Sequence, residues 1–415
     1  MKQRALQSHL LQCLKNFPVV YVNGPRQAGK TTLMNWLKTH LSSCQFVTFD
    51  DPLERAAALR HPHGYLAGLK KPLIIDEVQM VPSLFREIKR QVDIARQSAL
   101  EAGKRVNGMY VLTGSANLSA LPELSNAMVG RMVTLTLPPL SACESMGRPS
   151  NFLHHCFNQR FDDMLPDDQP LTKMMKISSF PEIVLGDSHM IGHWFKQYIH
   201  QITYEDPRHI YQLAKSHILP LLLQSLSARS GSLVNVASLG REVGLNAVTT
   251  RQYCSLFDQT FVTHTLRPWH QHMIKRLVKS SKVYFHDTML LCHLLGDTPQ
   301  GLSKLHPHRF GHVLENFVLS ELYKASCSKG NLVDIYFYRT QDGQEVDFIL
   351  HKQNKFVAIE VKHAEHITDK DLRGIRLFQS QVGDALQCSI ILCNTTRVIE
   401  FEPRIFLLPF SALWQ

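Results

Sequence analysis

The chain has 415 residues, 44% of them hydrophobic and 19% charged, with a formal net charge of +10 and 22 His besides. That length predicts two or three domains with ordinary cores, and the basic excess favours a polyanionic partner over a basic one. No apolar run approaches the roughly 18–20 residues that cross a bilayer, which excludes a membrane-spanning helix, and the first residues lack a secretion pattern, so cytoplasm is the expected setting.

In chain order, residues 1–15 read as a short helical lead-in with Leu6, Leu10, Leu11 and Leu14 on its apolar side. The run Phe17–Val22 predicts a strand. Gly24-Pro-Arg-Gln-Ala-Gly-Lys-Thr31 is a complete phosphate-binding loop, and a helical pattern follows from Thr32. The strand–loop–helix order gives the spacing physical content: Gly24 and Gly29 let backbone N–H groups curl round phosphate oxygens, and the new helix adds the positive end of its dipole. Lys30 is placed to reach the β/γ oxygens, and the Thr31 hydroxyl to ligate Mg²⁺, with Thr32 beside it. Residues Pro72-Leu-Ile-Ile-Asp-Glu77 then read as a buried parallel strand ending in two carboxylates at the carboxyl edge, where open α/β sheets bind ligands. Asp76 is placed for the Mg²⁺ shell and Glu77 to orient or deprotonate the attacking water. The strand Met109–Thr113 runs into Gly114-Ser115-Ala116-Asn117, where Thr113, Ser115 and Asn117 are candidates to sense a γ-phosphate. Strands near 17–23, 45–49, 72–76, 108–113 and 132–137 alternate with helices near 30–41, 52–60, 82–99 and 116–127. This alternation predicts a parallel sheet covered on both faces, stopped by Pro138-Pro139.

Residues 141–170 are polar and read as an irregular connection or insert, and 171–260 as helical. Ile218–Leu226 is an apolar helix with Pro220 in its first turn. Asn235–Val243, the turn Gly244-Leu245-Asn246 and Ala247–Phe257 have a helix-turn-helix outline, with Phe261–Leu266 as a wing. Thr249, Thr250, Arg251 and Gln252 suit phosphate or base contacts; a packing module is the other reading. A basic stretch, Lys275–Lys279, and a strand, Lys282–Phe285, follow. No two of the nine Cys have Cys-x-x-Cys spacing, so neither a zinc ribbon nor a redox pair is expected.

A third unit combines an amphipathic helix over 311–326 with strands near 333–339, 345–350, 356–362 and 388–393 and a helix near 369–381. Glu315 lies on the first helix, Asp347 in a strand after the turn Gln341–Gln344, and Glu360 and Lys362 on one face of the next strand. Such a set can gather carboxylates round a hard divalent cation, with Lys362 helping to position water; two charged edge strands and a solvated helix are the plain alternative. His306, His308 and His312 precede Glu315, and His312 shares its helix face.

The order of these motifs resembles the uncharacterised prokaryotic AAA-type P-loop ATPases that carry a C-terminal domain of unknown function. The likeness rests on Gly24–Thr32, Ile75-Asp-Glu-Val-Gln79, Leu112-Thr-Gly-Ser115, Val129-Gly-Arg-Met132, Tyr284-Phe-His-Asp-Thr288, Leu314-Glu-Asn-Phe317 and Glu345-Val-Asp with Glu360-Val-Lys. It implies ATP binding, and a restriction-endonuclease-like core round Glu315, Asp347, Glu360 and Lys362. Arg131 matches the family's Gly-Arg element, implying contact with a γ-phosphate in cis or from a neighbouring subunit; an Arg that caps the domain surface is the plain alternative. The segment Ser178-Ser-Phe-Pro-Glu182 departs from the Gly-Tyr-Pro-Glu form common there. The expected architecture is α/β throughout its ends. A P-loop ATPase domain spans 1–140, a linker and winged-helix-like region 141–270, and a nuclease-like α/β domain 271–415. The expected function is Mg²⁺-dependent ATP hydrolysis coupled to nucleic acid, in a protein able to form a homo-oligomer. The alternative is an ATP-controlled switch with an inert nuclease-like domain.

Overall fold

The computed structural model describes residues 2–41, 43–101, 103–115, 128–161, 164, 167–205, 216–270 and 280–415. The helix expected over 116–127, with Asn117, and the basic stretch Lys275–Lys279 lie outside the described residues. The chain divides into two compact units. One is Met1–Pro138 with 259–261 and 327–330; the other is formed by the remaining residues from Pro139 to Gln415.

In the first unit, β1 (Val19–Asn23), β2 (Gln45–Thr48), β3 (Leu73–Asp76), β4 (Tyr110–Gly114) and β5 (Met132–Thr136) form one sheet in the order β2-β3-β4-β1-β5. All its pairings are parallel. Strand side chains alternate faces, so β1 feeds two cores. Val20 and Val22 pack with Leu6, Leu10 and Leu14 of α1 (Leu6–Asn16) and Leu33 and Leu37 of α2 (Lys30–His40). Val19 and Tyr21 pack with Phe85, Ile88 and Val92 of α5 (Leu84–Glu101) on the other face. Two short helices, α3 (Pro52–Arg60) and α4 (Pro62–Ala67), fill the path from β2 to β3. Because every pairing is parallel, the carboxyl ends of β1, β3 and β4 share one edge, and the phosphate loop and the acidic pair lie there.

The second unit holds a six-stranded sheet in the order β12-β13-β11-β10-β9-β8, with a separate two-stranded pair, β6 (Thr263–Leu266) and β7 (Lys282–Phe285). Strands β8 (Asp334–Arg339), β9 (Glu345–Lys352) and β10 (Lys355–Val361) are antiparallel. The sheet then turns parallel from β10 to β11 (Leu386–Cys393) and from β11 to β13 (Ile405–Pro409), and β12 (Ile399–Glu402) closes it antiparallel. The helix Pro307–Ser328 packs Val313, Leu314, Phe317 and Val318 into a large shared core, while Leu372, Ile375 and Phe378 of Asp369–Val382 cover the other sheet face.

The stretch expected to be an irregular connection contains two short helices, Ala142–Met146 and Phe152–Asn158. The first starts in a capping box: Glu144 N–H donates to Ser141 Oγ at 3.1 Å, and Ser141 N–H to Glu144 Oε2 at 3.0 Å. Phe152, Leu153 and Cys156 are buried in the second. Among the described residues no helix is long and apolar enough to cross a membrane, and every cysteine is free.

Candidate functional site

The phosphate loop leaves β1 through Gly24, whose φ is +149°. A Cβ there would stand 2.2 Å from the Leu137 carbonyl oxygen, so only glycine lets the loop pass under the segment after β5. Gly29, at φ +93°, turns the chain into α2, and Lys30 is its first residue. The Lys30 side chain is buried and folds back over the loop, donating to the carbonyls of Gly24 at 3.0 Å and Pro25 at 2.9 Å. A second buried cation braces the loop from outside: Arg4 donates to Ala28 O at 2.8 Å and to Pro138 O at 2.6 Å. Sequence reasoning missed Arg4, because nothing local distinguishes one arginine ahead of an amphipathic helix.

Asp76, at the end of β3, is almost fully buried and takes hydrogen bonds from two hydroxyls. Thr31 Oγ1 reaches its Oδ2 at 2.8 Å across from α2, and Thr113 Oγ1 of β4 reaches its Oδ1. Glu77 follows in the left-handed region at φ 54°, its N–H donating to Thr113 Oγ1 at 3.3 Å. Its carboxylate is held by Gln79 Nε2 and by Ser115 Oγ at 3.4 Å, and Gln79 also donates to Ser115 Oγ at 3.2 Å. Gln79 is therefore a member of the constellation that local sequence reading left out. Asp50 completes the edge: burial, then Glu77 and Asp76, push its carboxyl above the ordinary range, while Arg26 and Arg55 oppose. Thr31 and Thr32 are exposed, with Thr31 turned to Asp76.

Arg131 lies elsewhere. It precedes β5 at the amino edge of the sheet, where Val19 N–H donates to its carbonyl at 3.2 Å. Its guanidinium grips Asp93 of α5 through two bonds of 2.6 and 3.1 Å. A strand's length, about 13 Å at roughly 3.3 Å per residue, separates the two edges. The cis contact with a γ-phosphate expected of Arg131 is therefore corrected: the parallel order carries the loop and Arg131 to opposite ends of β1.

In the second unit Glu315, Asp347, Glu360 and Lys362 do converge, on a cleft of ≈ 500 Å³ also lined by Gly231, Lys282, His312, Arg339 and Glu345. Each acid already has a partner. Lys282 Nζ ion-pairs with Glu345 and stands 3.7 Å from Glu315 Oε2. Arg339 takes the other Glu345 oxygen at 2.6 Å, and Lys362 holds Glu360 at 2.9 Å. Val361 N–H donates to Asp347 Oδ2 at 2.8 Å, and Asp347 N–H to Glu360 Oε2 at 3.3 Å. Burial pushes Glu315 up to about 8, with Asp347 and Glu345 adding and Lys282 opposing. Burial works against the Lys282 ammonium, yet Glu315, Asp347 and Glu345 outweigh it and hold the group charged. Among the described residues no group of three or more His, Cys, Asp or Glu is arranged to hold a metal ion. The acids of the cleft are thus engaged by protein donors, and His306 and His308 are exposed outside it. Glu345 was legible, since it alternates with Asp347 on one face of β9. Lys282 was not, because it opens an otherwise apolar strand.

The helix-turn-helix outline holds as geometry. Val236–Glu242 and Ala247–Gln259 are joined at Gly244 (φ +72°), and β6, next in the chain, pairs antiparallel with β7. Arg251 and Gln252 face solvent. Thr250 does not: it is fully buried, donates to Asn246 O at 2.8 Å and packs where Gly240 has no Cβ. Two motif residues are structural. Asn316 caps the end of β7, accepting from Phe285 N–H at 2.7 Å and donating to Phe285 O at 3.0 Å. Asp287 caps the helix Thr288–Leu294 through Leu290 N–H at 2.7 Å.

Residues 16–146 match the AAA domain family. Residues 169–301 match the domain of unknown function DUF8612, and 310–413 the domain of unknown function DUF4143. The uncharacterized proteins Mb2031c of Mycobacterium bovis and Rv2008c of Mycobacterium tuberculosis are each 26% identical over 362 residues, covering 87% of this chain and 74% of the relative. Among solved structures, the Walker-type ATPase PABY2304 of Pyrococcus abyssi is 10% identical, covers 71% of this chain and 96% of its own, and superposes with a TM-score of 0.41. The AAA match and the parallel five-stranded sheet support a place for the first unit among P-loop ATPases.

Proposed function

We propose that this protein binds ATP with Mg²⁺ at the edge formed by β1, β3 and β4 and hydrolyses it. The observation that carries the reading is the Thr31–Asp76 contact of 2.8 Å beside the phosphate loop. A hydroxyl and a carboxylate that close are the hard oxygen donors Mg²⁺ takes, so these residues fit the ion. When bound, Mg²⁺ would supply charge neutralisation on the β- and γ-oxygens. Lys30 exchanges its bonds to Gly24 O and Pro25 O for phosphate oxygens. The loop N–H groups and the start of α2 cradle the same anion. Glu77 orients water and accepts its proton, and Gln79 and Ser115 hold the carboxylate at the strand end until then. Thr113, bonded to Asp76 and to Glu77 N–H, ties the metal-side and water-side groups to β4. Arg131, paired with Asp93, either caps the surface of its own unit or serves the nucleotide of a neighbouring subunit.

Lys30→Ala should abolish ATP binding. Glu77→Gln should retain it while turnover falls about 10²–10⁴-fold, the usual worth of a general base. Isothermal titration and phosphate release check both; variants that hydrolyse ATP like the parent would sink the assignment.

The basic balance and the exposed Arg251 and Gln252 motivate a nucleic-acid partner that stimulates hydrolysis. Rates with and without duplex and single-stranded nucleic acid test this, and phosphate contacts would make any binding salt-dependent. The alternative, an ATP-controlled switch whose nuclease-like cleft is inert, is favoured by one observation: lysines and an arginine already neutralise the cleft's acids.

A further inference from the structure

We propose that Lys282 is the resident cation of the acidic cleft, a tethered ammonium standing where phosphodiester cleavage would require a divalent ion. The inference rests on reading the cleft as a nuclease-like core, whose acids would be expected to gather such an ion. The residues present do not fit it. Lys282 has a side chain only 4% exposed and lies between Glu345 and Glu315. Its ammonium also stands 5.6 Å from the centre of the Phe337 ring, a second attraction for a fixed charge. The backbone gives it little freedom. Leu233 bridges Lys282 itself, Ser230 bridges Val283, and Asn316 bonds both polar groups of Phe285.

The charges of the cleft point the same way. Glu315, Glu345, Asp347 and Glu360 face Lys282, Lys362 and Arg339 across one cleft. Adding a divalent ion to that set places two further positive charges against the Lys282 ammonium, which is buried and cannot swing into solvent as Lys362 and Arg339 can. Gly231 lies close behind the acids: a Cβ there would stand 3.1 Å from His312 Nδ1 and 3.2 Å from Glu315 Oε2. The cleft of ≈ 500 Å³ has room for an ion, so the fixed charge of Lys282 between Glu345 and Glu315, rather than space, sets the metal affinity of the cleft.

The test uses the full chain without nucleotide and Mn²⁺ as the probe, followed by electron paramagnetic resonance. Mn²⁺ held at the phosphate loop is common to all variants and cancels. Lys282→Met keeps the aliphatic reach and removes the charge. It should gain a Mn²⁺ site in the cleft at least about tenfold tighter than any the parent has there, as expected when a like charge is removed from a buried site. Adding Asp347→Asn should erase it. Parent protein that takes Mn²⁺ in an Asp347-dependent manner overturns the proposal. If neither parent nor Lys282→Met takes Mn²⁺ there, the nuclease-like reading beneath it fails instead. Thermal melting checks the fold of each variant, and Lys282→Gln replaces Lys282→Met if the latter does not fold. The measurement on the parent protein needs no variant at Lys282.

Discussion

Glu87 shows how one carboxylate joins two elements of the first unit. On α5 it accepts Arg90 Nε at 2.9 Å, Arg90 Nη2 at 2.8 Å and Gln91 Nε2 at 3.1 Å, and it meets His63 of α4 at 3.0 Å. The Arg90 hydrogen bonds pull its pKa down to about 2 from an ordinary 4.5, against burial, with His63 and Gln91 helping. A folded value below the unfolded one means that the ionised group contributes stability in full above about pH 4.5, and that this fades as pH falls through about 2. The stability gap between parent and Glu87→Gln should thus be widest near neutrality and close through that acid window. Denaturant unfolding across pH reads this out, and a gap that stays constant with pH would contradict it.

At the scale of elements, Gly374 sets how closely the helix Asp369–Val382 lies on β9. A Cβ at this position would fall 1.9 Å from the Glu345 carbonyl oxygen, a backbone atom that cannot swing aside. Gly374→Ala should destabilise by about 1–3 kcal/mol, the usual cost of overpacking, and should disturb the Glu345 carboxylate that holds Lys282. A melting temperature equal to the parent's would show that the helix shifts freely. The elements also mark what could be read from the chain. The five parallel strands, the phosphate loop and the Asp347/Glu360/Lys362 strands were legible because periodicity and spacing are local. The helix Ala142–Met146 was masked by its polar residues, although Ser141-x-x-Glu144 spells a capping box. Arg131 and Lys282 were misjudged or unseen for one reason: their meaning depends on which strand edge or which distant side chain they meet, and nothing local encodes that.

For the molecule as a whole, the second unit is fastened by a polar knot drawn from distant segments. Lys324 bonds Glu321 at 3.2 Å, Ser178 Oγ at 2.6 Å and Ser178 O at 3.2 Å, and Glu321 also accepts from Ala142 N–H at 2.9 Å. Both charged side chains are almost fully buried. Removing one partner from such a pair leaves an uncompensated charge, so Lys324→Met should cost about 3–5 kcal/mol. The double variant Lys324→Met, Glu321→Leu should recover part of that. Denaturant unfolding would test both, and a single variant as stable as the parent would refute the pair's role.

The acidic cleft is likewise a product of the whole unit. Glu315, Glu345, Asp347, Glu360 and Lys362 fall within the segment 310–413, but Gly231 and Lys282 come from before it. A fragment trimmed to 310–413 would keep four carboxylates and Lys362 but lose the buried Lys282 ammonium. If Lys282 keeps a divalent ion out, as proposed, such a fragment gains metal uptake that the full chain lacks, so the cleft's chemistry has to be assayed in a chain that retains Lys282.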